Sequence, residues 1–121
     1  MSSSCVLFVD DEADFLELYR AVFSRLGIDV RTAESLAQAR ESVAAGGLDA
    51  IVLDIRLGDE SGLSFLKELK ASPARIPVVL STAYARYQDD VSSWLADGYV
   101  IKSSDLTELK STVQRVLEAA R

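Results

Sequence analysis

Cys5-Val-Leu-Phe-Val9 runs into Asp10-Asp11-Glu12, and Ala50-Ile-Val-Leu53 runs into Asp54. Two later stretches repeat the arrangement: Ile76-Pro-Val-Val-Leu80 leads to Ser81-Thr82, and Tyr99-Val-Ile101 leads to Lys102. Short runs that are apolar throughout suit parallel strands buried on both faces. If all four are parallel, acids, hydroxyls and an amine converge on one sheet edge. In open α/β sheets that carboxyl edge is where ligands bind.

The segments between these runs read as helices. Phe15, Leu18, Tyr19, Val22, Phe23 and Leu26 form an apolar stripe at helical spacing, and Gly27 stands where a C-cap belongs. Ile28-Asp-Val30 reads as a further strand. Ser35 with Gln38 offers a capping box for a helix through Leu36, Ala39 and Val43 that ends at Gly46-Gly47. Leu57 to Gly62 reads as a loop, followed by a helix with Leu63, Leu66 and Leu69 inward. Pro73 and Pro77 bracket the approach to the next strand. Tyr87, Val91, Trp94 and Leu95 keep helical spacing until Gly98. The last stripe is Leu106, Leu109, Val113, Val116 and Leu117, with Ser104 or Asp105 as its cap. Five β-α units in a row predict a parallel sheet with helices on both faces, joined by right-handed crossovers.

The 121 residues, 49% of them apolar, fit one compact domain, expected over residues 5–121 behind a flexible tail at 1–4. A net charge of −6 without any Lys/Arg cluster argues against a direct nucleic-acid partner. Met1-Ser-Ser-Ser4 has the features of neither a signal peptide nor an anchor, and no apolar run is long enough to span a bilayer. The single Cys5 reads as a small buried hydrophobe in a reducing compartment, so a soluble cytoplasmic protein is expected. With no histidine, Ser-His catalysis, His-ligated zinc and a phosphohistidine carrier role are all excluded.

Three carboxylates at one edge repel one another unless a cation holds them. Mg²⁺ favours oxygen ligands and commonly pairs one or two carboxylates with a phosphate, which suits Asp10, Asp11 and Asp54. Lys102 supplies a second cation, and the Thr82 hydroxyl a further partner for a phosphoryl oxygen. Taken singly, each residue has a plainer explanation. Asp11 and Glu12 suit a helix N-terminus, Asp54 a strand end, Thr82 a strand, and Lys102 a solvated surface. Their joint placement on successive strand ends is what favours phosphoryl chemistry.

These motifs resemble the receiver domains of two-component response regulators, as in the single-domain chemotaxis regulator. The resemblance rests on Asp10-Asp11 after the first strand, Asp54 in Leu-Asp-Ile-Arg-Leu-Gly-Asp-Glu-Ser-Gly-Leu, Thr82 in Ser-Thr-Ala, and Tyr99-Val-Ile-Lys102. It covers nearly the whole chain. It implies a flavodoxin-like (βα)5 fold with strand order 2-1-3-4-5. It further implies that Asp54 is a phosphoacceptor in a phosphorelay, taking the group from a sensor histidine kinase or phosphotransfer protein. Mg²⁺ would be held by Asp11, Asp54 and the Arg56 backbone carbonyl, with Asp10 assisting. Lys102 and Thr82 would stabilise the transferred group.

In the family, movement of the threonine and an inward aromatic, here Thr82 and Tyr99, alters a surface built from the fourth helix, fifth strand and fifth helix. That surface would meet a downstream effector protein, in a monomer or a phosphorylation-dependent dimer. Trp94 and Tyr87 either belong to this surface or are core, with core the preferred reading for Trp94. Arg56 and Tyr84 flank the phosphoryl site, where side chains modulate the attacking water, and a bulky Tyr84 would shield the acyl phosphate.

The chain departs from the family at two places. Ser103 follows Lys102 where proline is usual, so the cis peptide found there would cost about 3 kcal/mol in this chain, and cis and trans both stay open. Gly58 replaces another common proline and should loosen the loop after Asp54. Both departures suit a degenerate receiver that binds partners without phosphorylation. A phosphatase of the haloacid dehalogenase type is disfavoured, because its nucleophile follows the first strand. A stand-alone receiver and a piece of a larger regulator or hybrid kinase read alike.

Overall fold

The computed structural model describes residues 3–83 and 94–120. The expectations for Tyr84, Tyr87 and Val91 lie outside the described residues. Described strands are β1 (Cys5–Val9), β2 (Asp29–Ala33), β3 (Ala50–Leu53), β4 (Arg56–Leu57), β5 (Glu60–Ser61), β6 (Val78–Thr82) and β7 (Gly98–Ile101). The helices among the described residues are α1 (Ala13–Ser24), α2 (Leu36–Ala45), α3 (Gly62–Ala71) and α4 (Thr107–Ala119).

Five strands form a parallel sheet in the order β2-β1-β3-β6-β7. Leaving aside the short β4-β5 pair, this is the expected 2-1-3-4-5 order of a flavodoxin-like fold. Side-chain alternation divides the core between the two faces. Val6 and Phe8 of β1, Val52 of β3 and Val79 of β6 pack with α1 and α4, around Tyr19, Phe23, Leu109 and Val113. Leu7, Val9, Ile51, Leu53 and Leu80 face the other way and pack with α2 and α3, around Ala39, Phe65 and Leu66. No helix among the described residues is long and apolar enough to cross a membrane.

Several local expectations are met. Gly27 adopts φ +77°, with Ile28 N donating to Phe23 O (3.2 Å) and Gly27 N to Ser24 O (3.1 Å), a Schellman-type ending for α1. Ser35 Oγ accepts from Gln38 N, while the Gln38 side chain reaches one residue further back, to Glu34 N. Leu63, Leu66 and Leu69 are buried, as is the whole α4 stripe. The expected cap of α4 is met only in part: the N-cap position is Leu106, which makes no side-chain cap, while Asp105 Oδ1, one residue earlier, accepts from Thr107 N and Oγ1.

Other expectations are corrected. The second strand is Asp29–Ala33, not Ile28–Val30, because its pairing with β1 continues to Val9↔Ala33 through the polar Arg31 and Thr32. Leu26 is exposed and Leu16 buried, so the inward line of α1 is Leu16, Tyr19 and Phe23. The fourth strand of the sheet is Val78–Thr82, so Ser81 and Thr82 are buried members of it and do not follow it. The loop after Asp54 contains an antiparallel pair, Arg56↔Ser61 and Leu57↔Glu60, closed by Gly58 at φ +59°. Cys5 is half-buried, and Trp94, expected in the core, is 71% exposed.

Candidate functional site

Register brings the chemistry together. Val9 pairs with Leu53, so Asp10 and Asp54 leave adjacent strands at the same height, and Leu53 pairs with Leu80 just before Ser81. On the far side Thr82 pairs with Ile101, and Lys102 N donates to Thr82 O (2.7 Å). The sheet reverses winding between β1 and β3, which opens a crevice at their carboxyl ends. There a cleft of about 250 Å³ is lined by Asp11, Glu12, Asp54, Arg56, Gly58, Ala83 and Lys102.

Lys102 is the hub of this cleft. Its side chain is only 4% exposed, and Nζ lies 2.8 Å from Asp10 Oδ2, 2.7 Å from Glu12 Oε1 and 2.9 Å from Asp54 Oδ2. The reading of Lys102 as a solvated charge is therefore excluded. The remaining oxygens of both buried acids bond to the backbone: Glu12 N donates to Asp10 Oδ1 (2.8 Å) and Arg56 N to Asp54 Oδ1 (3.2 Å). Asp11 is exposed, and its Oδ2 accepts from Gly58 N (2.9 Å), tying the β4-β5 turn to the end of β1. Glu12 occupies the N-cap position of α1 yet makes no side-chain cap, so the plain capping explanation for it fails.

Burial pushes the carboxyls of Asp10 and Asp54 above the usual range, and the bonds from Lys102 only partly offset it. Burial alone would lower the Lys102 amine, but its hydrogen bonds to Asp10, Glu12 and Asp54 outweigh that and raise it. One amine thus faces three carboxylates and stays charged. Ligand oxygens of Asp10, Asp11, Glu12 and Asp54 lie within 4.8 Å of one another, an all-oxygen set that fits a hard divalent cation.

Of the other expected residues, Thr82 is fully buried at the end of β6, and Tyr99 is half-buried against the α2-α3 side of the core. Arg56 is exposed at the mouth of the cleft. The Lys102-Ser103 peptide is trans, as are all described peptides. Two participants escaped the sequence reading: Glu12, seen only as a helix-dipole residue, and Phe15, seen only as core. Phe15 lies 4.4 Å from Lys102 Nζ, measured to the ring centroid. Their three-residue spacing, which puts both on one helical face beside Asp11, was the available signal.

The family model for the response regulator receiver domain matches residues 6–114. The chain belongs to this family. Among curated relatives, the receiver is 35% identical over 115 residues to the regulatory protein AtoC of Escherichia coli K12, covering 93% of this chain and 25% of AtoC. It is 32% identical over 119 residues to the response regulator PilR of Pseudomonas aeruginosa, covering 97% of this chain and 27% of PilR. The receiver thus spans about a quarter of the length of these relatives. Among solved structures it is similar to the response regulator TrrA of Thermotoga maritima in complex with Mg²⁺-BeF, with TM-score 0.88 and 35% identity over 93% of this chain and 98% of TrrA. A complex of TrrA with the histidine kinase ThkA matches with TM-score 0.87 and 36% identity, covering 94% of this chain and 98% of the matched chain.

Proposed function

We propose that this receiver is a phosphorylation switch in which Asp54 accepts a phosphoryl group from a phosphohistidine on a sensor histidine kinase or phosphotransfer protein. Its role is regulatory, and the only chemistry it performs is on itself. An Asp54 carboxylate oxygen attacks phosphorus in line, the P–N bond breaks, and the imidazole leaves with the bond pair and takes up a proton. Water then hydrolyses the resulting acyl phosphate, releasing inorganic phosphate and returning the Asp54 carboxylate. The observation that carries this reading is the buried amine of Lys102 bridging Asp10 and Asp54 at the β1-β3 crevice.

Asp10, Asp11, Asp54 and the Arg56 carbonyl would hold Mg²⁺, which supplies charge compensation for the phosphoryl oxygens when bound. Lys102 binds a second oxygen of the group from its fixed position, and the Thr82 hydroxyl a third. Arg56 N holds Asp54 Oδ1 and so limits rotation of the acceptor. Such transfer needs positioning and charge compensation more than covalent help, so these few groups suffice. Trans geometry at Ser103 does not keep Lys102 from the pocket, which weighs against the degenerate-adaptor reading. Thr82 and Tyr99 then couple the new charge to the surface around β7 and α4, where a downstream effector protein docks. By their positions in the family's motifs, Arg56 and Tyr84 modulate the access of water to the acyl phosphate. The switch works in the cytoplasm as a monomer or a phosphorylation-dependent dimer, without touching nucleic acid itself.

Incubation with Mg²⁺ and acetyl phosphate, followed by intact-mass measurement, tests this. One added phosphoryl group that is absent in Asp54→Asn and in metal-free samples is expected. An unmodified wild-type protein under saturating donor and Mg²⁺ would overturn the reading in favour of an adaptor.

A further inference from the structure

We propose that Glu12 and Phe15, at the start of α1, are positioning residues that hold the Lys102 amine in place through the phosphoryl cycle. An ammonium has three N–H donors, and here each has one carboxylate: Asp10, Glu12 and Asp54, all within 2.9 Å. The Phe15 ring covers the same amine at 4.4 Å. Without such constraints a four-carbon stem would lose rotamer entropy to stay in one geometry.

The three carboxylates are not equivalent. Asp10 and Asp54 are buried, with their other oxygens bonded to backbone N–H groups. If Asp54 is the acceptor, as proposed above, its contact with the amine gives way to a phosphoryl oxygen, while Asp10 would be one of the residues holding Mg²⁺. Glu12, with a side chain 59% exposed, belongs to the same carboxylate cluster but is assigned here to the amine and not to the cation, so its bond to Lys102 can persist. Phe15 does not move with the chemistry at all. Its ring packs beside Tyr19 at 5.9 Å, and Tyr19 stacks on Phe8 of β1 at 5.0 Å, so it is braced against the sheet. The helix that follows the acidic pair thereby sets where the amine stands, independently of the backbone after Lys102.

Two readouts test this role. In the unmodified, metal-free protein, the Lys102 side-chain ammonium resonance, assigned by its loss in Lys102→Arg, should be protected in the wild type and broadened by exchange in Glu12→Ala and Phe15→Leu. With Mg²⁺ and acetyl phosphate, Glu12→Ala should slow phosphoryl uptake about three- to tenfold while leaving Mg²⁺ affinity within about twofold, since a half-exposed charge-assisted bond is lost. Glu12→Gln keeps an acceptor oxygen and should recover most of the rate. A Glu12→Ala protein that loses Mg²⁺ affinity in step with rate would make Glu12 a metal ligand and overturn the proposal. So would an unchanged ammonium resonance, or a glutamine variant no better than alanine. Failure of the acceptor assignment shows differently: the wild type takes up no phosphoryl group, while the resonance still reports on Glu12.

Discussion

A Cβ added to Gly62 would overlap the backbone carbonyl oxygen of Asp54 and come within 3.0 Å of Ile55 Cα. Gly62 N also donates to Ile55 O at 2.6 Å, so the first turn of α3 is seated directly on the peptide of the proposed acceptor. Both neighbours are backbone and cannot swing aside. Gly62→Ala is therefore expected to push α3 outward at a cost of about 1–3 kcal/mol, despite the better helix propensity of alanine. Urea unfolding measures this, and phosphoryl uptake at Asp54 should slow in parallel. A midpoint at or above wild type would show that the approach of α3 is not constrained there.

Tyr19 carries a pH dependence on the alkaline side. It is 2% exposed, hydrogen-bonds with Ser81, and burial pushes its hydroxyl from 10.0 up to about 12. The folded state therefore favours the protonated phenol. That stability is fully present below the ordinary value and is lost as pH rises from there through about 12. A shift of this size corresponds to about 3 kcal/mol. Tyr19→Phe should lose about 1 kcal/mol at neutral pH, where the Ser81 bond is missed, yet fall less steeply above about pH 10. Denaturant midpoints across that range for the two proteins decide the matter, and parallel curves would refute it.

At the opposite end of the sheet, Asp97 Oδ2 accepts from Val78 N (2.8 Å) and Lys70 Nζ (2.6 Å). Asp97→Ala strips the partner from the N–H of buried Val78, at an expected cost of about 1–3 kcal/mol, whereas the exposed ion pair contributes little. Asp97→Asn keeps an acceptor and should cost less. Because β6 begins at this end and the cleft lies at the other, phosphoryl uptake should stay near wild type in both. Equal stability of the alanine and asparagine variants would argue against the backbone bond as the main contribution.

Trp94 is the one tryptophan, and its 71% exposure makes it a surface reporter; Leu95 and Ile101 are also exposed. Acrylamide should quench its fluorescence nearly as well as that of free indole. A blue-shifted, protected emission would place it in the core after all.

Much of this was readable from residue order. Runs that are apolar at every position, each closed by an acid, hydroxyl or amine, can be buried on both faces only in a helix-covered parallel sheet, and this puts Asp10, Asp54 and Lys102 at one edge. Local punctuation was equally plain: Gly27 takes φ +77° and Ser35 caps α2. Strand limits were less legible. Pairing with β1 draws Arg31 and Thr32 into β2 although neither is apolar, and ladder hydrogen bonds follow the neighbouring strand more than side-chain hydropathy.

Sequence alone determined the family, the succession of the five strands of the parallel sheet and the identity of the proposed acceptor, because these depend on periodicity and on residue types at strand ends. Tertiary structure decided what surrounds the Lys102 amine. Which carboxylates it meets depends on how β1, β3 and β7 are registered and how α1 leans over them, and such contacts span up to 92 positions in the chain. It also decided that Trp94 faces outward, since helical spacing names a face without saying which one the sheet will cover.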